Sequence, residues 1–391
     1  MNVTGIVAEY NPMHMGHLRH LELCRKFAGS DVIVAVLSGN FVQRGEPAVL
    51  DKWTRARLAL NNGVDLVIEL PVVYSVSSAE IFGFGAVSIL NSLGIVNNIC
   101  FGAENADTDY MLKIADILVS EPDEYKAALK IYLNKGQSFS AARNLALNDY
   151  LKDDVSGFIN NSNNILGIEY CKSIIKLKSS ISPVAVKRQG SSYNEKDLGS
   201  LSSATSIRKY IDTHNNLEEL KLHVPIDVYN ALNSVKISKD KMLHCIKYKY
   251  YTSIDSLNKI PDVIEGIDRR ISKSIIKCGD YQELVSDVKT KRYAYSRISR
   301  ILCQYFIGFD SYDTGDLRKK PAEYARILGF NRKGADILRK AASTSAIPLV
   351  TKVKKGRYQG LDMDIQATNA YSLLNSEVKF NQDFYSSPVI I

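Results

Sequence analysis

The stretch that decides the fold is Ile6-Val7-Ala8-Glu9-Tyr10-Asn11-Pro12-Met13-His14-Met15-Gly16-His17, because it joins an apolar run to a helical pattern. The spacing predicts a strand over residues 3–8 and a helix that begins near His14. A helix N-terminus carries unpaired backbone N–H groups and the positive end of the helix dipole, so it attracts phosphate. His14 and His17 fall on one face of the first turn, where their rings could add donors. Gly16 lacks a Cβ and lets a flat ligand approach the backbone.

This segment resembles the HxGH signature of the nucleotidyltransferases and class I aminoacyl-tRNA synthetases, which act at the α-phosphate of ATP. The competing interpretation is a helix that carries surface histidines by chance. The chain has only six histidines, and three of them are His14, His17 and His20. Their clustering favours a phosphate site over chance.

The N-terminal half alternates short apolar runs with helical segments, which predicts an α/β fold with a Rossmann-like, doubly wound parallel sheet. We expect strands at residues 3–8, 32–37, 66–69, 98–101 and 184–186, and a helical elaboration over about 108–175. The polar residues 189–202 are rich in Gly and Ser and are expected to form an exposed loop. Helical periodicity then runs from Ser206 to about residue 345. The expected division is an ATP-binding nucleotidyltransferase-like domain over residues 1–215 and an all-α, mostly helical domain over residues 216–391.

The net charge of +8 is unevenly distributed along the chain. Residues 289–359 hold 17 Lys and Arg against 5 Asp and Glu, a net charge of +12, which leaves −4 for the remainder. A basic segment on a mildly acidic protein is typical of a nucleic-acid footprint, although a solvated basic face is the alternative.

Composition also limits the class of protein. No apolar run reaches the roughly 18 residues that a membrane helix needs, and the chain starts as a strand, so we expect a cytoplasmic protein without membrane contact. The six cysteines contain no CxxC pair, which argues against structural zinc and against a disulfide framework. We expect no protein-held metal and six buried thiols at Cys24, Cys100, Cys171, Cys245, Cys278 and Cys303.

A second phosphate signal is Ser202-Ser203-Ala204-Thr205-Ser206-Ile207-Arg208. Hydroxyl residues before an apolar helical run are good N-caps, so another helix N-terminus is expected here. Arg208 could hold a β- or γ-phosphate. The stretch resembles the second nucleotidyltransferase signature, (I/S)S(S/T)xIR. By itself it is also consistent with an ordinary serine-rich cap, but it follows the HxGH segment in the expected order.

Smaller signals lie between the two signatures. Gly102 follows a predicted strand, where a glycine lets a nucleotide lie close to the sheet. Asn163 and Asn164 could supply amide groups to adenine or ribose, or simply cap a helix. Lys187 and Arg188, after the last predicted strand, would place a cation near the triphosphate.

A longer pattern is LSGNFVQRGEPA at residues 37–48, followed by DKWTRA at residues 51–56. Together with AEYNPMHMGH, FGAE, NNILGIEY and KRQG…Y, it closely resembles the family of bacterial tRNA(Met) cytidine acetate ligases. The resemblance covers the predicted catalytic half almost continuously. It extends into TKRYAYSRISR at residues 290–300, with fewer specific residues.

The resemblance implies an enzyme that joins acetate to ATP, releases pyrophosphate and forms acetyl-adenylate. It implies transfer of the acetyl group to N4 of the wobble cytidine in elongator tRNA(Met). His14, His17 and Arg208 are the expected catalytic residues, and Mg²⁺ is expected to be held mainly by the ATP phosphates. The expected ATP contacts are Ile6, Val7, Ala8, Glu9, Tyr10, Asn11, Pro12, Met13, His14, Met15, Gly16, His17, Leu18, Arg19, Gly102, Asn163, Asn164, Arg188 and Ser206. The second signature departs from the family pattern at Ala204-Thr205-Ser206-Ile207-Arg208, but its hydroxyl groups remain.

The second substrate needs its own contacts. The acetate and cytidine end of the crevice is assigned to Gln43, Arg44, Lys52 and Arg55, for which a surface ion-pair network is the alternative. Aromatic residues interleaved with cations suit contact with single-stranded RNA. The expected tRNA contacts are Lys291, Arg292, Tyr293, Arg297, Arg300, Arg332 and Lys333, with Tyr295, Tyr324 and Arg326 as further members of the same pattern. Solvated charge and ordinary packing are the alternatives, and the oligomeric state is not predicted.

Three other functions compete with this one. An adenylyltransferase that acts on a mononucleotide would not need the long basic helical region. An aminoacyl-tRNA synthetase would need a KMSKS-like lysine motif, which the sequence lacks. A non-catalytic RNA-binding protein with a relic pocket is disfavoured by the intact His14, Gly16, His17 and Arg208.

Overall fold

Residues 1–188, 203–232, 237–290 and 292–391 are described by a computed structural model of the chain. The strands are β1 (Val3–Ala8), β2 (Val32–Ser38), β3 (Phe41–Val42), β4 (Glu46–Pro47), β5 (Leu66–Leu70), β6 (Asn98–Ala103), β7 (Ser182–Lys187), β8 (Ala325–Phe330), β9 (Leu349–Val350) and β10 (Val389–Ile390). The helices are α1 (Met15–Phe27), α2 (Lys52–Asn61), α3 (Val72–Ser75), α4 (Ala79–Ser92), α5 (Thr108–Ser120), α6 (Asp123–Asn134), α7 (Phe139–Leu151), α8 (Ser156–Ile159), α9 (Ser162–Lys176), α10 (Ala204–Thr213), α11 (Ile226–Leu232), α12 (Lys239–Thr252), α13 (Ile267–Lys277), α14 (Tyr281–Val288), α15 (Tyr295–Ile307), α16 (Thr314–Leu317), α17 (Arg332–Thr344), α18 (Gln359–Ser372) and α19 (Gln382–Tyr385).

The central sheet has the strand order β10-β8-β5-β2-β1-β6-β7, and β9 also pairs with β8. The five strands from β5 to β7 run parallel to one another. Strand β2, with the sequence VIVAVLS, is buried at every position. Such continuous burial is typical of a parallel sheet that helices cover on both faces. The five predicted strands and the α/β fold class are therefore confirmed.

Helices pack on both faces of the sheet and form an apolar layer with each face. One layer contains residues of α1, α2, α10 and α11. The other contains residues of α4, α5 and α9 together with residues of α15 and α18. In that second layer the ring of Phe41 meets the rings of Phe306 and Tyr371 at centroid distances of 6.1 and 6.0 Å. The helical C-terminal region and the sheet therefore share one core.

Helices α5 to α9 occupy the stretch that was expected to be a helical elaboration. The expected exposed loop at residues 189–202 lies outside the described residues. No helix in the described ranges is both long enough and apolar enough to cross a membrane.

The structure corrects one detail of the expected all-α C-terminal region. Strand β8 pairs antiparallel with β5, and β9 and β10 pair parallel with β8. Strand β8, with the sequence ARILGF, is only six residues long, and so short a segment cannot be told from a helical turn by periodicity. The last strand of the chain thus extends the sheet of the N-terminal half. The division at residues 215 and 216 stays a prediction.

Candidate functional site

A pocket opens at the carboxyl edge of the sheet, beside the ends of β1, β6 and β7. From β1 the chain proceeds to β2 on one side, whereas β6 and β7 lie on the other. Ligands bind parallel sheets at such a switch point. The pocket is lined by Ile6, Val7, Ala8, Glu9, Tyr10, Asn11, His14, Gly16, His17, Arg19, His20, Leu23, Phe101, Gly102, Asn163, Leu166, Tyr170, Val186, Lys187, Arg188, Ala204 and Arg208.

The two signature histidines cap helix α1 with one nitrogen each. Nδ1 of His14 accepts the backbone N–H of Gly16 at 3.1 Å, and Nδ1 of His17 accepts the backbone N–H of His14 at 3.2 Å. The two rings lie against each other with centroids 3.8 Å apart. A Cβ on Gly16 would lie 2.8 Å from Cε1 of His14, so glycine at this position keeps the His14 ring in place. Ring orientation is thus fixed by the start of the helix.

This capping also determines which nitrogen of each neutral ring carries the proton. Because both Nδ1 atoms accept hydrogen bonds, the proton of a neutral ring resides on Nε2. Burial, together with the charges of Arg188 and Arg208, lowers the pKa of His14 to about 3. Burial, helped by His14 and Arg188, also holds the pKa of His17 well below its ordinary value. At neutral pH both residues are uncharged Nε2–H donors in the pocket.

The lowered pKa of His14 makes the stability of the fold depend on pH. Below pH 6.5 the unfolded chain binds a proton at this residue and the folded chain does not, so stability falls as pH falls. Asparagine does not titrate in this range. Between pH 7 and pH 5 we therefore expect the free energy of unfolding of His14→Asn to fall by about 2 kcal/mol less than that of the wild type. Urea unfolding at the two pH values measures this difference. Equal losses in the two proteins would contradict the lowered pKa.

The second signature comes into the same pocket from α10. Oγ of Ser203 accepts the backbone N–H of Ser206 at 3.1 Å, which caps this helix. Nη1 of Arg208 donates to the carbonyl of Asn11 at 2.8 Å, although 197 residues separate the two. Ser206 itself turns its Oγ to the carbonyl of Ser203 at 2.8 Å. It stabilises the cap and does not line the pocket.

The smaller predicted signals meet at the opposite wall. Nη1 of Arg188 donates to Oδ1 of Asn163 at 3.1 Å, and Nδ2 of Asn163 donates to Oε1 of Glu104 at 2.6 Å. A Cβ on Gly102 would lie 3.0 Å from Cγ of Arg188, so the glycine makes room for this arginine. Asn164 is buried behind the wall, where its Oδ1 accepts the backbone N–H of Glu104 at 2.9 Å. The structure places Asn164 as a support of the loop after β6.

Besides Asn164 and Ser206, four predicted ATP contacts do not line the pocket: Pro12, Met13, Met15 and Leu18. Met13 is buried in the apolar layer under α1, and Leu18 packs against the same layer. Met15 is more than a third exposed. Side chains around the start of a helix point in several directions, and only those on the face of His14 and His17 point into the pocket.

Lys187, predicted with Arg188, does line the pocket, and seven further lining residues were not among the predicted contacts: His20, Leu23, Phe101, Leu166, Tyr170, Val186 and Ala204. His20 and Leu23 extend the His17 face of α1 at helical spacing, and that periodicity could have identified them. Phe101 and Val186 lie near strand ends, next to predicted residues. The apolar members provide a surface for a flat ring.

Lys52 and Arg55, which were expected at the acetate end of the pocket, are buried and bonded elsewhere. Nζ of Lys52 lies 2.8 Å from both Oε1 of Glu69 and Oδ1 of Asp383. Arg326 joins the two carboxylates from the other side. Arg55 donates to backbone carbonyls, among them that of Glu9 at 2.8 Å. Their expected contact with substrate is therefore wrong: these cations hold α2 to the sheet, and Lys52 also to the C-terminal segment.

Gln43 and Arg44 lie in the β3–β4 loop, which contacts Glu9 of the pocket wall, although neither residue lines the pocket itself. The backbone N–H of Gln43 donates to Oε1 of Glu9 at 2.7 Å. Arg44 is close enough to Glu9 and Arg208 for their charges to affect its pKa, which burial lowers. Gly45 has a φ of +75°, and a Cβ there would lie 2.3 Å from the backbone nitrogen of Arg300. The loop therefore packs directly on α15.

The predicted tRNA residues divide into two groups. Arg292 and Arg297 lie near Glu265, with closest distances of 3.6 and 3.3 Å to its carboxylate. Both guanidinium groups also lie over the ring of Tyr293, which is buried and packs beneath them. The Nε of Arg300 is buried without a hydrogen-bond partner among the described residues. Lys291 lies outside the described residues.

The second group, Arg332 and Lys333, does not lie on the surface that carries Arg292 and Arg297. Arg332 and Lys333 follow the carboxyl end of β8, which pairs with the amino end of β5. They therefore lie at the opposite edge of the sheet from the pocket. Tyr324 and Arg326 are buried at 2% and 3% exposure, so their assignment to an RNA surface is wrong. Tyr295 is half-buried and its hydroxyl bonds to Gln282.

The fold also brings together three groups that the sequence spacing did not connect. His20, Cys24 and Cys100 place possible ligand atoms within 4.8 Å of one another. Cys24 Sγ and His20 Nε2 are 3.5 Å apart, and both thiols belong to the apolar layer between α1 and the sheet. Buried thiols of this kind behave as small apolar side chains.

Comparison with known proteins accords with this geometry. A family model described as HIGH Nucleotidyl Transferase matches residues 1–385. The chain is 52% identical over 402 residues to the tRNA(Met) cytidine acetate ligase of Clostridium acetobutylicum, with all of both chains covered. It is 48% identical over 399 residues to the Clostridium novyi protein of the same name, again with full coverage. The crystal structure of Thermotoga maritima TmcAL bound with alpha-thio ATP matches it with a TM-score of 0.91 and 34% identity, over 100% of this chain and 99% of that chain. The chain therefore belongs to the HIGH nucleotidyl transferase family and, within it, to the tRNA(Met) cytidine acetate ligases.

Proposed function

We propose that this protein activates acetate with ATP as acetyl-adenylate and transfers the acetyl group to N4 of the wobble cytidine of elongator tRNA(Met). One observation carries the proposal: Arg208 of the second signature bonds to Asn11 of the first, so both signatures form one pocket. Relatives at about half identity over the full chain are named for this ligation.

Activation of acetate requires binding of a triphosphate and stabilisation of the charge that develops on it. We assign the Nε2–H groups of His14 and His17 to the α- and β-phosphate oxygens, beside the backbone N–H groups of α1. Arg188 and Arg208 are assigned to the departing pyrophosphate. Preorganised donors of this kind stabilise the transition state without further rearrangement. Positioning of acetate against the α-phosphate supplies the remaining advantage.

Mg²⁺ belongs to this proposal as a partner of ATP. Glu9 is the only carboxylate among the described residues that line the pocket. Mg²⁺ commonly binds proteins through one or two carboxylates and the phosphates of its substrate. The pocket thus suits an ion held mainly by phosphate oxygens, which would neutralise their charge.

The function is tested by incubating the protein with ATP, tRNA(Met) and a panel of small carboxylates. We expect pyrophosphate and AMP with acetate, and N4-acetylcytidine in the digested tRNA. Transfer of AMP onto a mononucleotide would favour an adenylyltransferase instead. Binding of tRNA without pyrophosphate release would favour a non-catalytic RNA-binding protein.

The acceptor side of the pocket is assigned to the β3–β4 loop, with Gln43 and Arg44 toward acetate and cytidine. This loop packs on α15, which carries Arg297 and Arg300. We keep Arg292, Arg297 and Arg300, together with Lys291, as tRNA contacts. They belong to residues 216–391, which we assign to tRNA binding. Residues 1–215 are assigned to the ATP half of the reaction.

Charge reversal on this surface should weaken tRNA binding alone. We expect Arg292→Glu to raise the KM for tRNA about tenfold and to reduce the slope of log KM against log salt by about 1, because a phosphate contact is lost. Steady-state acetylation at several salt concentrations measures both quantities. Arg339→Glu is the matched control, because it makes the same charge change on α17 away from this surface. Equal effects of both changes would refute the assignment.

A further inference from the structure

Glu9 occupies a distinct place in the pocket. It follows β1 directly and lines the pocket wall, and its carboxylate is largely enclosed by protein. Oε1 accepts the backbone N–H of Gln43 at 2.7 Å, so the β3–β4 loop fixes the position of the carboxylate. Perturbed, enclosed carboxylates in a cleft are typical of functional sites.

The surroundings place Glu9 on the acceptor side. His14 and His17 approach the pocket from α1, whereas the partner of Glu9 comes from the β3–β4 loop. That loop packs against α15, on which the cations assigned to tRNA lie. A base that enters from the helical region would therefore meet the pocket on the side of Glu9.

Acetyl transfer creates a need that the phosphate-binding residues do not meet. The N4 amino group of cytidine is conjugated with the ring and is a weak nucleophile, so it must lose a proton as it attacks. His14 and His17 are uncharged rings whose Nδ1 atoms are already engaged by backbone N–H groups. They donate hydrogen bonds and have no free nitrogen to accept a proton.

We propose that Glu9 is the general base for acetyl transfer to the cytidine N4. This inference rests on the proposed function. N4 forms a bond to the acetyl carbonyl carbon, the bond from that carbon to the phosphate oxygen breaks, and AMP leaves with the electron pair. One N4 proton passes to the Glu9 carboxylate, which later releases it to solvent.

The environment of Glu9 suits this role. Burial raises its pKa, against the hydrogen bond from Gln43 and the nearby positive charges, and moves it toward neutrality. A base works best when its pKa lies near the operating pH. The charged and titratable groups that face it are Arg44 of the β3–β4 loop, Arg55 of α2, Arg208 of α10 and Tyr170 of α9.

Glu9→Gln tests the proposal, because the amide oxygen can still accept the N–H of Gln43. We expect single-turnover transfer from enzyme-bound acetyl-adenylate to tRNA to fall by about 100- to 10,000-fold. Acetate-dependent ATP–pyrophosphate exchange should fall much less, by a factor at least ten times smaller than the factor by which transfer falls. The transfer rate of the wild type should rise with pH along an acidic limb that Glu9→Gln lacks, and Glu9→Asp should restore part of the rate.

Glu124→Gln is the matched control, because it removes a carboxylate from an exposed position of α6 that does not line the pocket. It should leave both rates at the wild-type level. Equal loss of transfer and exchange in Glu9→Gln, or an increased Mg²⁺ requirement for exchange, would overturn the proposal and make Glu9 a contact of ATP or of its metal ion. Unchanged transfer would overturn it as well. If the wild type itself forms no N4-acetylcytidine, the proposed function fails and not this inference alone.

Discussion

His14→Asn and His17→Asn should each lower acetate-dependent ATP–pyrophosphate exchange by about 100- to 1000-fold, the effect of losing one preorganised donor. Asparagine places its Oδ1 near the position of the imidazole Nδ1, so it can still accept the backbone N–H that the ring accepts now. Asparagine is also among the best N-cap residues. The substitution therefore removes the Nε2–H donor and keeps the start of α1.

Exchange of labelled pyrophosphate into ATP measures this loss, and urea unfolding at pH 7 checks that the helix cap survives. His214→Asn is the matched control, because His214 is exposed after α10 and does not line the pocket. Full exchange in both pocket variants would remove the histidines from the chemistry. A large loss of stability with proportional loss of exchange would make them structural caps only.

Lys52→Met should lower the free energy of unfolding by about 3–5 kcal/mol, because it leaves two buried carboxylates with only one of their two cations. Lys52 is fully buried and lies 2.8 Å from both Glu69 and Asp383, which belong to β5 and α19. Methionine has a similar length and no charge. Arg326 remains beside the two carboxylates and compensates for only part of the lost charge.

Urea unfolding again measures the change, with Arg57→Met as the control. Arg57 lies on the exposed face of the same helix, so its loss should change stability by less than about 0.5 kcal/mol. If Lys52→Met kept its stability and raised the KM for acetate, Lys52 would belong to the substrate pocket after all.

The parts of the fold that were predictable are those set by local pattern. The apolar run at residues 32–37 forms a strand, and the hydroxyl groups before Ile207 form a cap. The two signatures could be placed at one sheet edge because the carboxyl ends of parallel strands meet there. His14, His17 and Arg208 follow from that argument.

The assignments that the structure overturns, or places away from the pocket, share a physical cause, which is a partner far away in the sequence. Nothing near Lys52 indicates that Asp383 will cover it, so a cation in a motif-rich stretch was assigned to the substrate. Arg332 and Lys333 were assigned by charge, but their location depends on the antiparallel insertion of β8 beside β5. Tyr324 was assigned by its basic neighbours, although its hydroxyl bonds to the buried Asp364.

The placement of β8 between β5 and β10 has a consequence for synthesis on the ribosome. Strand β5 has left the exit tunnel long before residue 330 is made, so its open edge must wait for its neighbour through some 250 residues of translation. An open strand edge is a template for pairing with other chains. The nascent polypeptide therefore carries an open strand edge until β8 has been made. Protection of this edge by chaperones is thus more important than for a sheet whose strands are made in spatial order.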